Sequence, residues 1–435
     1  MDVNNIIFSL RGEQVGSIEV TSPKILDVYI AKWKSEKGLP LEVEETVFDK
    51  KLNKKVTQKV QKAREEITLE KITERGLSYM AALVIETEGL SKKKLKIKIK
   101  SGKRKVLTDV DTAIEFINYE DIKVVTDASK YKDIKTKSEF EIEVDNLADK
   151  ELYSNADDFK DKAVLRLMLN QKATDLSFDL AKLINEDEDK TAFVYVEVTS
   201  VESNIVYCGE GENNNNFMYG EDKWFKIKYL EQPWIIKARE EYEKKINQTD
   251  NCQYIVDTYH AVNREHKPKS CSDHWCASFV GWCLKETGYS AQLDPGAAAY
   301  GNILTRYRNK IQTTIDKDGK TVPLTEKNAA GKTVYVTKDV FEDPIWAQKL
   351  SKMFLGCICH VKPLGYNHVT FAVAIDYKGN YLFLGGNQSN SVRLANYPNS
   401  IQARIYPIEY EIEDTDDEFP IYYVDVPKNG SVTAS

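Results

Sequence analysis

The chain has 435 residues, 42% apolar and 30% charged, too many for one ordinary core and the composition of a soluble multi-domain protein. Its formal net charge of -7 is the wrong sign for a nucleic-acid or anionic-membrane binder. No run of about 18 apolar residues occurs, so no transmembrane segment is expected, and Met1-Asp2-Val3-Asn4-Asn5-Ile6-Ile7-Phe8 lacks the basic start and apolar core of a signal peptide.

Residues 1–150 read as a β-sandwich domain. Leu95, Ile97 and Ile99 alternate with lysines, and Phe140, Ile142 and Val144 alternate with glutamates, the pattern of half-buried strands. Leu77 to Thr87 is a further strand. Val56, Val60, Ala63 and Ile67 share a helical spacing, so 56–72 is read as helix. Residues 151–231 form a second β domain, with Leu165, Leu167 and Leu169 at period two, a β-rich Phe193 to Val198, and Ile205 to Gly209 as a strand into a turn. Both are expected to be immunoglobulin-like sandwiches.

From Gln232 the pattern becomes helical. Pro233-Trp234 opens a helix to about Lys245, Gln253 to Val262 a second, and Cys276 to about Thr287 a third. In the third, Cys276, Phe279, Val280, Cys283 and Leu284 share one side, widened by Trp275 and Trp282. Ser272 or Asp273 is the expected N-cap and Gly288 the stop. A polar insertion over 300–345 follows, then strands at Cys357 to Val361, His368 to Ile375 and Tyr381 to Leu384. Residues 412–435 are read as an acidic C-terminal tail with a strand at Ile421 to Val426.

The seven cysteines are Cys208, Cys252, Cys271, Cys276, Cys283, Cys357 and Cys359, and every histidine lies between His260 and His368. An odd count without a signal peptide argues against a disulfide framework. A thiol in the first turn of a helix meets the dipole and free N–H groups, which lower its pKa and make it a nucleophile. The other reading of Cys276 is a small buried packing residue. A thiol nucleophile needs a base and an orienting group. His368, starting a strand, can be the base, and Asn387, after the next strand and a Gly385-Gly386 pair, can be the orienter. Taken singly, His368 also reads as a strand-end histidine and Asn387 as a turn residue. Zinc is a rival use of Cys271, His274, Cys276, Cys357, Cys359 and His360, although their spacings lack the usual paired thiols.

Taken together, Pro233-Trp234, Ile255, Tyr259, Trp275-Cys276-Ala277-Ser278-Phe279-Val280 with Trp282-Cys283, Asn367-His368-Val369, Leu384 to Val392 with its Gly-Gly-Asn-Gln, and Tyr397-Pro398 resemble the CHAP-type, papain-like murein amidase/endopeptidase family. The resemblance covers 232–411. It implies an α+β papain-like cysteine hydrolase domain behind the mainly β N-terminal domains. It implies a Cys276, His368, Asn387 triad without cofactor or metal, and cleavage of an amide or peptide bond in the peptidoglycan stem peptide. Gly356-Cys357-Ile358 stands where the family often has Gly-Asp-Ile or Gly-Asp-Val, and the 300–345 insertion is longer than usual. With no export signal read, synthesis in the bacterial cytoplasm and action in the periplasm or on the wall point to an injected antibacterial effector or a phage-type lysin. Its partners would then be an injection apparatus or an immunity protein. The alternatives are an inactive murein- or partner-binding protein with a degenerate hydrolase domain, and a zinc-binding structural protein.

Overall fold

The computed structural model describes residues 4–10, 13–20, 22–49, 54–125, 128–170, 178–263, 267–301, 309–311, 313–317, 319–327, 333–335, 337–339, 346–413 and 418–423. The protein is strongly β-rich, with several sheets. It divides into two compact units, one of residues 1–230 with 420–424 and one of 231–419 with 425–435.

The first unit holds two principal sheets around one core. In the first sheet the order is Ile117–Asn118, Lys162–Met168, Met80–Glu88, Lys24–Lys37 and Val206–Tyr207, with Glu65–Ile72 also paired to Lys24–Lys37. In the second it is Phe140–Glu143, Lys94–Ser101, Thr191–Ser200, Phe225–Lys228 and Glu74–Gly76. The alternation of Lys94–Ser101 has its expected consequence: Leu95, Ile97 and Ile99 are buried against Leu83, Ile85 and Leu165 of the other sheet. Its lysines face out, where Lys94 meets Glu141 at 2.6 Å and Lys100 meets Glu197 at 2.7 Å. Met80–Glu88 is apolar without alternation because its other face is also covered, by Leu147, Tyr153 and Phe159.

Three expectations for this region are corrected. Residues 1–150 and 151–231 are not separate sandwiches. Lys162–Met168 lies against Met80–Glu88, and Thr191–Ser200 against Lys94–Ser101, so both segments build the same two sheets. Segment 56–72 is not helical but forms the strands Lys54–Lys62 and Glu65–Ile72. Pairing of Glu65–Ile72 with Ile30–Lys37, and of Lys54–Lys62 with Leu41–Asp49, outweighs the helical spacing. Nor are residues 412–435 one free acidic tail: Tyr423 is buried in the first unit, its ring 5.2 Å from Tyr131, while 414–417 and 424–435 lie outside the described residues.

The second unit packs helices on an antiparallel sheet. The strand order is Ala347–Lys349, Ile401–Pro407, Ile358–Val361, His368–Asp376, Tyr381–Gln388 and Ser391–Asn396. Helix Pro233–Glu243 starts with proline at its first turn, and Trp234 Nε1 donates to the Gly356 carbonyl at 2.8 Å. The run expected as a plain helix over 253–262 changes pitch: a turn of α at Cys252–Tyr254, π at Ile255–Tyr259, then 3-10 at His260–Val262. Within 300–345 the described pieces pair as short antiparallel strands, such as Thr313–Ile315 with Thr321–Pro323. The rest of that insertion lies outside the described residues.

Candidate active site

Helix Cys276–Glu286 sits between sheet and helices, which is why its residues from Cys276 to Leu284 are all buried. Phe279 meets Phe371 of the sheet at 6.5 Å, and Tyr259 meets Phe279 and Trp282, each at 5.2 Å. The helix ends as expected. Gly288 takes φ 82°, its N–H bonds to the Lys285 carbonyl, and the Tyr289 N–H reaches back to Leu284. Its start differs from expectation: Trp275 is the cap, without a side-chain hydrogen bond. Ser272 is drawn instead into a hydroxyl pair with Ser270 at 2.7 Å. The first turn therefore has no side-chain cap, and its Cys276 and Ala277 N–H groups meet the thiol.

Cys276 is only 4% exposed. Burial raises its thiol pKa above the usual value, partly offset by the backbone N–H groups of Val369, Ala277 and Cys276 itself, which favour the thiolate. The helix-dipole expectation of a lowered pKa is thus corrected: desolvation outweighs the N–H groups. The Val369 contact also fixes location, because it places the sulfur beside the residue that follows His368.

His368 opens its strand, half-buried, with its ring 5.5 Å from Tyr397. Burial pushes the imidazole down to about 4; the Gln388 amide opposes the shift, and His274 and His360 add to it. His368 Nε2 and Gln388 Oε1 are both buried without a partner, as are Thr370 Oγ1 and Trp275 Nε1. Buried polar groups normally find partners, and His260 Nε2 and Asn263 Oδ1 in the same unit are likewise unpartnered.

Gln388, and not Asn387, carries the amide held against the imidazole. Gln388 Nε2 donates to the Phe383 carbonyl at 3.2 Å and to the Arg393 carbonyl, which leaves Oε1 as its free end. Asn387 instead has φ 57° and makes no side-chain hydrogen bond among the described residues. It lies where the pairing of Tyr381–Gln388 with Ser391–Asn396 shifts register, between Gly385 and Gln388. The adjoining glycines allow this close approach: a Cβ on Gly386 would lie 2.6 Å from both Phe279 and Trp275. The signal available in the sequence was the Asn-Gln pair itself, since alternation past a bulge decides which of two neighbouring amides faces inward.

Two further features were missed. Cys252 and Cys271 form a disulfide, so the argument from an odd cysteine count against disulfides is corrected. The bridge closes the segment leading to Cys276 and removes Cys271 from any zinc set. Among the described residues no group of three or more His, Cys, Asp or Glu is placed to hold a metal ion. Cys357 and Cys359 stack their sulfurs at 3.5 Å inside the core. The second feature is a pair that mimics catalysis: His260 Nδ1 lies 2.9 Å from Ser278 Oγ, which also accepts from Asn263 at 2.8 Å. Ser278 and His260 are 0% exposed, so no substrate reaches them, and the trio is a structural network tying two helical segments.

Glu241 anchors Tyr259, which packs on the Cys276 helix. It is 0% exposed and accepts from Tyr259 at 2.5 Å and Tyr254 at 2.9 Å, with Lys244 at 2.7 Å. Tyr259 in turn stacks on Trp275 at 5.7 Å. Glu241→Ala leaves two hydroxyls without their acceptor and is expected to lower stability by about 2–4 kcal/mol. Denaturant unfolding checks this; a change within about 0.5 kcal/mol would contradict the support assigned to Glu241.

No protein-family model, no characterised protein and no solved structure matches the chain.

Proposed function

We propose that the second unit is a cysteine hydrolase that cleaves an amide bond in peptidoglycan outside the cytoplasm. The observation that carries the reading is the buried thiol at an uncapped helix start, lying against the Val369 N–H with the neutral imidazole of His368 next in the chain. The raised thiol and lowered imidazole pKa values favour a neutral pair at rest. His368 then takes the thiol proton as Cys276 attacks the amide carbonyl. The tetrahedral oxyanion meets the Cys276 N–H at the helix start. His368 returns the proton to the leaving amine, and water activated by the same ring hydrolyses the thioester.

Gln388 takes the orienting role. Gln388→Ala is expected to lower kcat by roughly 10- to 1000-fold with a smaller change in KM. Asn387→Gly is expected to keep near-unaltered activity, because glycine accepts the same φ. A dead Asn387→Gly beside an active Gln388→Ala would return the role to Asn387.

The Cys252–Cys271 disulfide supports action in an oxidising compartment. No helix among the described residues is long and apolar enough to cross a membrane. Delivery by an injection apparatus, or release as a lysin, fits this reading. Expression in bacterial cytoplasm should be harmless, and expression behind a periplasmic signal should lyse the same cells unless Cys276 is replaced. Equal toxicity in both compartments would move the target away from murein. The burial of Cys276 favours a second reading, a murein-binding domain without turnover, since buried thiols are ordinarily inert. Under it, periplasmic expression does not lyse cells and iodoacetamide leaves Cys276 unmodified.

A further inference from the structure

The second unit contains a cavity of about 450 Å³ that the catalytic reading does not use. It is lined chiefly by Tyr381, Phe383, Asn396, Tyr397, Asn399 and Arg404. Three features define what it would hold. Aromatic rings and asparagine amides together suit a peptide, offering apolar surface with hydrogen-bonding groups between. Arg404 is the one charged side chain in the lining. Its Nε lies 3.1 Å from Met353 Sδ, and no carboxylate forms an ion pair with it among the described residues. A half-buried guanidinium without an acidic partner presents a fork that matches a carboxylate.

Continuity with the reacting groups comes through Tyr397. Its ring forms part of the cavity lining, rests 5.8 Å from Phe383, and lies 5.5 Å from the His368 imidazole. Burial pushes the Tyr397 hydroxyl pKa up, and the Cys276 charge adds to the shift. One side chain therefore borders both spaces.

We propose that this cavity is a substrate subsite that binds a free carboxylate of the peptide through Arg404, with Tyr397 setting its distance from the thiol–imidazole pair. The proposal rests on the amide-hydrolase reading and adds a specificity to it. The cavity selects peptides that carry an unblocked carboxylate near the bond to be cut. Amidation of that carboxylate removes the charge and one acceptor, and so removes the match to the guanidinium.

The test uses the full-length protein and two stem peptides that differ only in whether this carboxylate is free or amidated. The unaltered protein should cut the free acid with a kcat/KM at least about tenfold above that for the amide, the size expected for one charge-assisted pair. Arg404→Gln should erase this preference by slowing the free acid alone, and Arg404→Lys should retain part of it. Thermal unfolding of each variant separates loss of the fold from loss of recognition. Equal cleavage of both peptides by the unaltered protein, or equal slowing of both by Arg404→Gln in a folded variant, would overturn the subsite while leaving the hydrolase reading in place. Cleavage of neither peptide by the unaltered protein would sink the hydrolase reading itself.

Discussion

Replacing Cys276 with alanine is expected to abolish hydrolysis, with a fall of about 10⁴-fold or more in kcat, because the proposed acyl bond forms on its sulfur. Cys276→Ser should be nearly as inactive although it conserves size, since a hydroxyl in this buried setting is far harder to ionise than a thiol. Both variants should stay folded. The side chain is small, and the helix is held by Phe279, Val280 and Trp282 rather than by the sulfur. Rates on a chromogenic or muropeptide substrate, with circular dichroism as the control for folding, check the expectation. Residual activity within about tenfold of the unaltered protein would mean that another group attacks.

The second large effect concerns His368. In the proposed mechanism His368→Ala removes both base and acid, and a loss of about 10³- to 10⁴-fold in kcat/KM is expected. The same ring sets the pH dependence. In the folded protein its pKa lies near 4, below the ordinary imidazole value of 6.5. With the neutral ring as the proposed base, activity should persist well below pH 6.5 and fall only as pH approaches 4. The linkage to stability has the same sign. Between these two values the unfolded chain binds a proton at His368 and the folded protein does not. The stability contributed by the neutral ring is therefore complete above pH 6.5 and is lost as pH falls towards 4. An acid limb of kcat/KM centred near 6.5 would show that the ring is solvated in the working enzyme.

The β-rich character was readable where one strand face is buried and the other is charged. Lys94–Ser101 and Phe140–Glu143 announce themselves because water and core impose period two directly on the sequence. The same reasoning failed at 56–72, where both strands are largely exposed and little buried surface writes a period into the residues. The division of the first unit into two sandwiches failed for a different reason. Which strands share a sheet depends on long-range pairing, such as Lys162–Met168 with Met80–Glu88, and local pattern carries no record of the partner.

At the candidate site the residue types and their supporting elements were legible, and the local electrostatics and the choice of amide were not. Helix Cys276–Glu286 and strand His368–Asp376 are visible in hydrophobic spacing and in the stop at Gly288. The thiol pKa was misjudged because the dipole is a property of the helix, whereas desolvation is a property of everything packed against it. Gln388 was missed because a single left-handed residue, Asn387, exchanges the inward and outward positions at the strand end. The Cys252–Cys271 bridge joins positions 19 apart in sequence, and no local periodicity announces which thiols meet.

The central claim is that Cys276 and His368 together hydrolyse an amide bond in peptidoglycan. It is tested most directly by digesting purified sacculi with the full-length protein and with Cys276→Ala, then identifying the released fragments by mass spectrometry. The account predicts soluble fragments from the unaltered protein alone, each carrying the new amine or carboxylate left by addition of one water across a single type of amide bond. Intact sacculi after prolonged incubation, or the same fragments from the Cys276→Ala protein, would contradict it.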